Sequence, residues 1–434
     1  MRMCSSSGAI AGQQPRLRAA PAAGLLGLFL VLWPLRRLSA ENRVEYRFSD
    51  YVEDADRIKV QTHSVWFEYD LQSKVALRGS YVNDAISGAT PTGQVYRDGT
   101  AVDPIPLSDE RNAGFLETSI RAGRTTTTPQ ISYSEESDYR SLGVSLTEAI
   151  DFNERNTTLV LGIAHNADHV GRSKRPDSFK YKGSSDFLVG LNQILGPKTV
   201  LTANLTVGYA DGYLSDPYKR VSYLFDLPGV PANNVLNFDN DHRPRHKLKQ
   251  VVFVGLKQAV TAVDASIDVG YRFHHDDWGT IANTAEVTWN QRVLKRVIVS
   301  PLFRYHRQSA ADFYTTRLNT YVGLAGRRLA FTPDDSLVAI EGDGSGVFET
   351  EVLGNPGAYN IVGVPAAPRY YSADYRLSAL ETFTYGLSVA IKLHEKVTLN
   401  LGYQRYEMHG LDGVTPRSVY PKAHVFSAGL GATF

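Results

Sequence analysis

The 434-residue chain is poor in sulfur, with one cysteine and three methionines. That cysteine is Cys4, and it lies ahead of Glu41, where the mature chain is expected to begin. Disulfides, thiolate metal sites and cysteine catalysis are therefore excluded for the mature chain. A charge of one sign is lacking as well. Lysine plus arginine number 46 against 45 aspartate plus glutamate, a formal net charge of +1. Such a balance offers no basic footprint to a nucleic acid. Long apolar runs are missing too. After Leu35 no stretch approaches the roughly 18 apolar residues of a spanning helix, which excludes a helical membrane protein. Nor is there a serine-histidine-aspartate spacing, a phosphate loop or a dinucleotide fingerprint, so enzymatic activity is not the expectation.

What is present is aromatic and small. Tyrosine at 24 and glycine at 36 are plentiful, as aromatic belts and close-packed strands require. The mean hydropathy of −0.24 is consistent with a barrel, whose lumen and loops are polar. Near the start, Arg2, Arg16 and Arg18 precede an apolar run from about residue 22 to 35, and Leu38-Ser39-Ala40 offers a small-residue cleavage site. Residues 1–40 are expected to be a secretory signal peptide and 41–434 a single barrel domain. The last strand places Phe426, Ala428, Leu430, Ala432 and Phe434 on one face. In water such an edge is an aggregation hazard, and in a membrane only closure satisfies it. The terminal Phe434 also resembles the end signal read by the barrel assembly machinery.

Alternation of apolar and polar residues predicts an all-β fold, a closed antiparallel transmembrane β-barrel in the outer membrane of a Gram-negative bacterium. Fourteen strands are expected, near residues 43–53, 57–70, 74–86, 132–151, 156–167, 184–195, 198–210, 246–260, 263–275, 280–293, 296–308, 372–393, 396–408 and 423–434; sixteen result if Tyr321 to Phe331 pairs. Tight connections follow every second strand, at Leu71 to Ser73, Asn153 to Arg155, Gly196-Pro197, Thr261-Ala262, Leu294-Lys295 and His394-Glu395. Short periplasmic turns and long external loops have this rhythm. Leu142, Val144 and Leu146, like Val269 and Tyr271, and Leu401 and Tyr403, belong to the lipid face. Arg78, Lys249, Lys257, Arg272 and Arg304, partly balanced by Asp84 and Asp268, belong to the lumen. The long connections at about 87–131, 211–245 and 309–371 are where function is expected, the last as an inward plug or an external hairpin.

The strongest chemical string opens the first of these: Asp84-Ala85-Ile86-Ser87-Gly88-Ala89-Thr90. It resembles the acceptor motif onto which a periplasmic flavin transferase moves FMN from FAD, through a phosphoester to a threonine hydroxyl. The resemblance makes Thr90 the acceptor of a covalent FMN, with Asp84 and Ser87, Gly88 and Ala89 as the part the transferase reads. A hydroxyl nucleophile entering another enzyme's site needs an unhindered small-residue backbone. The other reading of Ser-Gly-Ala-Thr-Pro is an ordinary strand-to-loop turn.

Further strings, Ser132 to Tyr139, Asn156-Thr157-Thr158-Leu159, Ser309 to Tyr314 and Tyr370 to Ser378, together with Asp84 to Pro91, resemble a family of proteobacterial outer-membrane β-barrel proteins that is a domain of unknown function. The resemblance spans nearly the whole mature chain. It implies association with flavin transferases and other extracytosolic redox proteins, without a reaction. Three readings stand: a flavin-bearing barrel in electron transfer, a cofactor-free channel or transporter for small solutes, and a structural barrel that holds a partner.

Weaker clusters have blander readings. Glu135, Glu136 and Asp138 with Arg140, and Asp374 with Arg376, read as ion-pair networks rather than catalytic carboxylates. His274 with Asp276, the set Asp239, Asp241, His242 and His246, and the set His165, Asp168 and His169 have metal-ligand chemistry, with solvated loop as the default.

Overall fold

A computed structural model describes residues 42–72, 74–95, 101–173, 175–223, 238–318, 321–322, 328–331, 337–342, 348–352, 355–358 and 368–434. The expected signal peptide lies outside the described residues. Sixteen antiparallel strands close into one barrel. They are β1 (Arg43–Glu53), β2 (Ile58–Gln72), β3 (Val75–Val95), β4 (Val102–Ala122), β5 (Thr125–Glu135), β6 (Tyr139–Phe152), β7 (Thr157–Arg172) and β8 (Arg175–Gly196), then β9 (Thr199–Gly212), β10 (His246–Val260), β11 (Ala265–Asp276), β12 (Ile281–Leu294), β13 (Val297–Gln308), β14 (Leu380–His394), β15 (Val397–Gly410) and β16 (Lys422–Thr433). Closure comes from β1 pairing along its whole length with β16, from Arg43 opposite Thr433 to Glu53 opposite Ala423.

The count of fourteen is corrected to sixteen, and by a different route from the one expected. The extra pair is β4 and β5. Part of the expected loop 87–131 is strand, and the expected strand 132–151 is divided between β5 and β6 by a turn at residues 136–138. Tyr321–Val322 and Arg328–Phe331 do pair, but inside a separate five-stranded sheet with Leu337–Gly342, Phe348–Val352 and Asn355–Ala358, not in the barrel wall. The expected strand from 372 begins only at Leu380, because Asp374 caps a 3-10 turn over Tyr375–Leu377 by accepting from Arg376 N. Two added strands keep the number even, so the short-turn side still holds both ends of the barrel chain.

The outer surface is the apolar face of every strand. Leu142, Val144 and Leu146 on β6, Ile163 on β7, Val269 on β11 and Leu401 on β15 are exposed, which in a lipid bilayer means lipid-facing. Tyr81, Tyr133, Tyr209, Tyr271, Tyr385 and Tyr403 are exposed on the same face. Hydroxyls among them reach polar neighbours, Tyr81 donating to Asn112 Oδ1 at 2.7 Å and Tyr271 to Asn283 Oδ1 at 2.6 Å. Tyrosines of this kind, apolar in body and polar at the tip, mark a membrane interface.

The inward face carries charge in pairs. Arg78 meets Glu68 at 2.7 Å and Glu117 at 3.3 Å, Lys249 meets Asp186 at 2.9 Å, Lys257 meets Asp268 at 3.4 Å and Arg304 meets Glu286 at 3.9 Å. Barrels of about eight strands fill with their own side chains, whereas those of about sixteen leave an aqueous interior. Buried hydrophobic clusters are found instead at the outer end. One joins Val221, Leu318 and Ala373; another joins Leu380, Val419 and Tyr420.

Candidate functional site

These clusters belong to a cap folded from the outer connections, and inward-pointing groups of the wall anchor it. On β3, the Pro91 carbonyl accepts from Lys219 Nζ at 2.5 Å. On β7, Arg172 donates twice to Pro217 O, at 3.0 and 2.6 Å. On β13, Gln308 Nε2 donates to the carbonyls of Arg376 at 2.9 Å and Ser378 at 3.0 Å. Strands 3, 7 and 13 are spread around the ring, so the cap straddles the mouth rather than leaning on one side of it. Between β1 and β2, Arg57 adds a further anchor by donating to the carbonyls of Ser418 and Val419.

Charge holds the centre of the cap. Asp374 is buried, accepts from Arg376 Nη2 at 2.6 Å and from Arg243 Nη2 at 2.8 Å, and lies near Lys219. Burial alone would raise its carboxyl, but Arg376, Arg243 and Lys219 outweigh that and hold it below the usual carboxylate range. Arg376 also reaches Asp216 at 2.6 Å, and Arg243 reaches Asp241 at 2.6 Å. Burial pushes the Asp241 carboxyl up and the Lys219 ammonium down. A network of this kind is costly to leave half-made.

The string Asp84 to Thr90 lies under this cap. Its residues are neither loop nor turn: β3 runs on through them to Val95, with Ser87 opposite Ser108 and Thr90 opposite Ile105 on β4. Asp84 is buried, accepts from Thr62 Oγ1 at 2.6 Å and has Arg111 Nη1 at 3.6 Å. Gly88 takes φ 129°, and a Cβ there would come 2.1 Å from Arg57 O, so only glycine fits. Ser87 is exposed and Ala89 half-buried, its N–H donating to Arg57 O at 2.6 Å. Thr90 is half-buried, with Lys219 Nζ 3.5 Å from its hydroxyl.

The remaining sequence clusters separate. Asp374 with Arg376 forms the cap's ion pair, and Glu135 with Arg140 a 3.0 Å surface pair. His274 Nε2 and Asp276 Oδ2 converge at 3.0 Å, but Lys247 Nζ takes the same oxygen at 2.9 Å, and an ammonium there opposes a cation. His165 bonds Ser185, whereas Asp168 pairs with Lys182, so that set does not converge. Asp241 is committed to Arg243, and the Asp239 side chain lies outside the described residues. Asp109, Glu136 and Asp138 do bring carboxylate oxygens together. Burial raises Glu136 and Asp138, and Asp138 raises Glu136 further. Sequence reasoning missed Lys219, Arg243 and Asp216, because their partners are more than a hundred residues away or fall in a loop without periodicity. The one signal was the run of charge from Asp239 to His246.

The family described as "Protein of unknown function (DUF3570)" matches residues 29–181 and 172–423. No curated protein matches the sequence. Among solved structures, CdiB from Acinetobacter baumannii is similar over 92% of this chain at 7% identity and TM-score 0.47; the chain spans 61% of its length. OmpT, an outer membrane protein of Vibrio cholerae, is similar over 91% of this chain and 98% of its own, at 7% identity and TM-score 0.38. The siderophore receptor PirA from Acinetobacter baumannii is similar over 92% and 81%, at 10% identity and TM-score 0.36. The closed barrel with its lipid-facing belt is an outer-membrane barrel of a Gram-negative bacterium.

Proposed function

Since this chain belongs to the DUF3570 family over most of its length, a family without an assigned activity, we propose from its own geometry that it is a capped outer-membrane conduit for small solutes. The observation that carries this is the anchoring of the cap to β3, β7 and β13 across the mouth of a sixteen-stranded barrel. A wall of this size encloses more space than its inward side chains fill, and a folded lid over it controls passage. The test replaces residues 213–244 and 310–378 with short flexible linkers and compares single-channel conductance in planar bilayers. The shortened barrel is expected to conduct steadily where the full chain stays mostly shut. If it folds and remains as tight as the full chain, the conduit reading is wrong.

A second reading, covalent FMN on Thr90, is supported by the acceptor string and by Lys219. In that transfer the Thr90 oxygen loses its proton and bonds to the phosphorus of the FMN half of FAD, the pyrophosphate bond breaks, and AMP leaves. The phosphodiester so formed would have the Lys219 ammonium at hand to meet its charge. Because Thr90 is half-buried between β4 and the cap, attachment precedes barrel closure. Co-expression with a flavin transferase in the periplasm is expected to add one FMN by intact mass to the wild type and none to Thr90→Ala. An unmodified wild type beside a labelled control substrate would remove this reading and leave the conduit untouched.

A further inference from the structure

Between the cap and the inner face of β8 to β10 lies a cavity of about 750 Å³. Three lysines point into it: Lys182 from β8, and Lys247 and Lys249 from β10. Each is paired, and two of the pairs share one polarity. Lys182 Nζ is 3.1 Å from Asp168 and Lys247 Nζ is 2.9 Å from Asp276, and both carboxylates are buried behind them, at 2% and 0% side-chain exposure against 29% and 25% for the lysines. Lys249 reaches Asp186 across β9 at 2.9 Å. Gly208, opposite both residues in the ladder, makes that span: a Cβ there would lie 2.2 Å from each side chain. In the Lys182 and Lys247 pairs the negative charge is therefore in the wall and the positive end faces the space. An ammonium has three donors, and one carboxylate does not use them all.

The rest of the lining agrees. Lys247 stands 4.4 Å over the ring of Trp278, a flat apolar surface beside the cations. Arg243 and Arg376 face the cavity from the cap, already engaged with Asp241, Asp374 and Asp216. Three carboxylates line it as well: Asp216, taken up by Arg376, and at the far end Glu136 and Asp138 by β5 and β6, both raised by burial and Asp138 accepting from Tyr218.

We propose that this cavity is a binding station for a small anionic solute carrying a carboxylate or phosphate group, held by Lys182, Lys247 and Lys249 against Trp278. It deepens the conduit reading by naming the class of solute. Charge-assisted hydrogen bonds from several ammonium groups in a partly desolvated space are the strong kind, and the cations are already fixed by their aspartates. Solutes of this class would pause under the cap on their way through.

The test uses the full-length protein in detergent at fixed ionic strength and follows tryptophan fluorescence while inorganic phosphate or citrate is added. A saturable change with phosphate identifies the phosphate class and one with citrate the carboxylate class; chloride and glycine at equal concentration are expected to give none. Lys249→Gln should weaken binding about tenfold, the scale of one charge-assisted hydrogen bond. Asp186→Asn should strengthen it, by releasing the Lys249 ammonium into the cavity. Heat-modifiable gel migration checks that both variants fold. The proposal is overturned if neither anion gives a saturable change, if chloride or glycine gives the same one, or if the two substitutions move affinity in the same direction. Since binding is read without transport, a failed conductance experiment would sink the conduit alone.

Discussion

Asp374→Asn removes one charge from the centre of the cap and little volume. Arg376 and Arg243, at 2.6 and 2.8 Å, lose their common carboxylate, and the buried Lys219 loses its nearest compensation. Breaking a buried ion pair from one side costs about 3–5 kcal/mol. Asp216 still holds Arg376 and Asp241 still holds Arg243, so the low end applies. About 3 kcal/mol moves the balance between docked and undocked cap by roughly two orders of magnitude. The wall hydrogen bonds are untouched, so the barrel should keep its heat-modifiable migration while its closed dwell times in planar bilayers shorten about a hundredfold. The pH dependence is a second reading of the same group. Its carboxyl is held below the unfolded value, so its contribution is fully present above about pH 4 and is lost as pH falls through the depressed value. Wild type should stay shut from neutral pH down to about 4 and loosen only in stronger acid, and the asparagine variant should lack that step. A folded Asp374→Asn barrel with wild-type dwell times would show that the ion network does not hold the cap.

Gly93→Val tests the cap by shape: φ is +94° and a Cβ would lie 2.7 Å from Ala373 O and 2.8 Å from Arg220 O, so a folded barrel with an undocked, conducting mouth is expected in the same recordings. Leu387→Arg places a charge on the lipid face of β14 and should cost about 2–4 kcal/mol near the bilayer midplane; the inward neighbour Ser388→Arg should cost far less, as read from urea unfolding in vesicles. Glu136, raised by burial and by Asp138, stabilises its turn below the unfolded pKa and loses that as pH rises through its higher folded value. Protection factors at residues 136–138, taken against the intrinsic exchange rate at each pH, should therefore be higher in mild acid than at neutral pH, a difference that Glu136→Gln abolishes.

The wall was legible wherever one face is apolar over several turns of the pleat. Leu142, Val144 and Leu146, or Val269 and Tyr271, could not point elsewhere, and the seam between β1 and β16 follows from Phe426 to Leu430. β4 was not legible, because Pro104, Pro106 and the polar run Ser108 to Asn112 erase its alternation until Leu116 and Ile120, beyond the mid-point of the strand. Four threonines and Pro129 hid β5 in the same way. The string at Asp84 to Thr90 was read as the mouth of a loop because Gly88 and Pro91 look like punctuation; in three dimensions Gly88 relieves a close approach to Arg57 O. The cap could not be foreseen, since Lys219 meets Pro91 and Arg243 meets Asp374 across spans that no local pattern records.

The distribution of cap segments along the chain sets an order of assembly. Pro91 comes early in the sequence, Lys219 and Arg243 midway, and Ser372, Asp374 and Val419 near its end, and the cluster of Val221, Leu318 and Ala373 joins the middle to the end. Neighbouring strands pair as hairpins with short loops to close, but the cap's contacts to Asp374 and Val419 cannot form until the end of the chain has arrived, and contacts of such long separation form late. A newly inserted barrel of this protein is therefore briefly capped only in part, before the last segments dock. The membrane's barrier then depends on how fast the cap docks, and a substitution such as Gly93→Val that leaves the mature wall sound would first appear as leakage in growing cells.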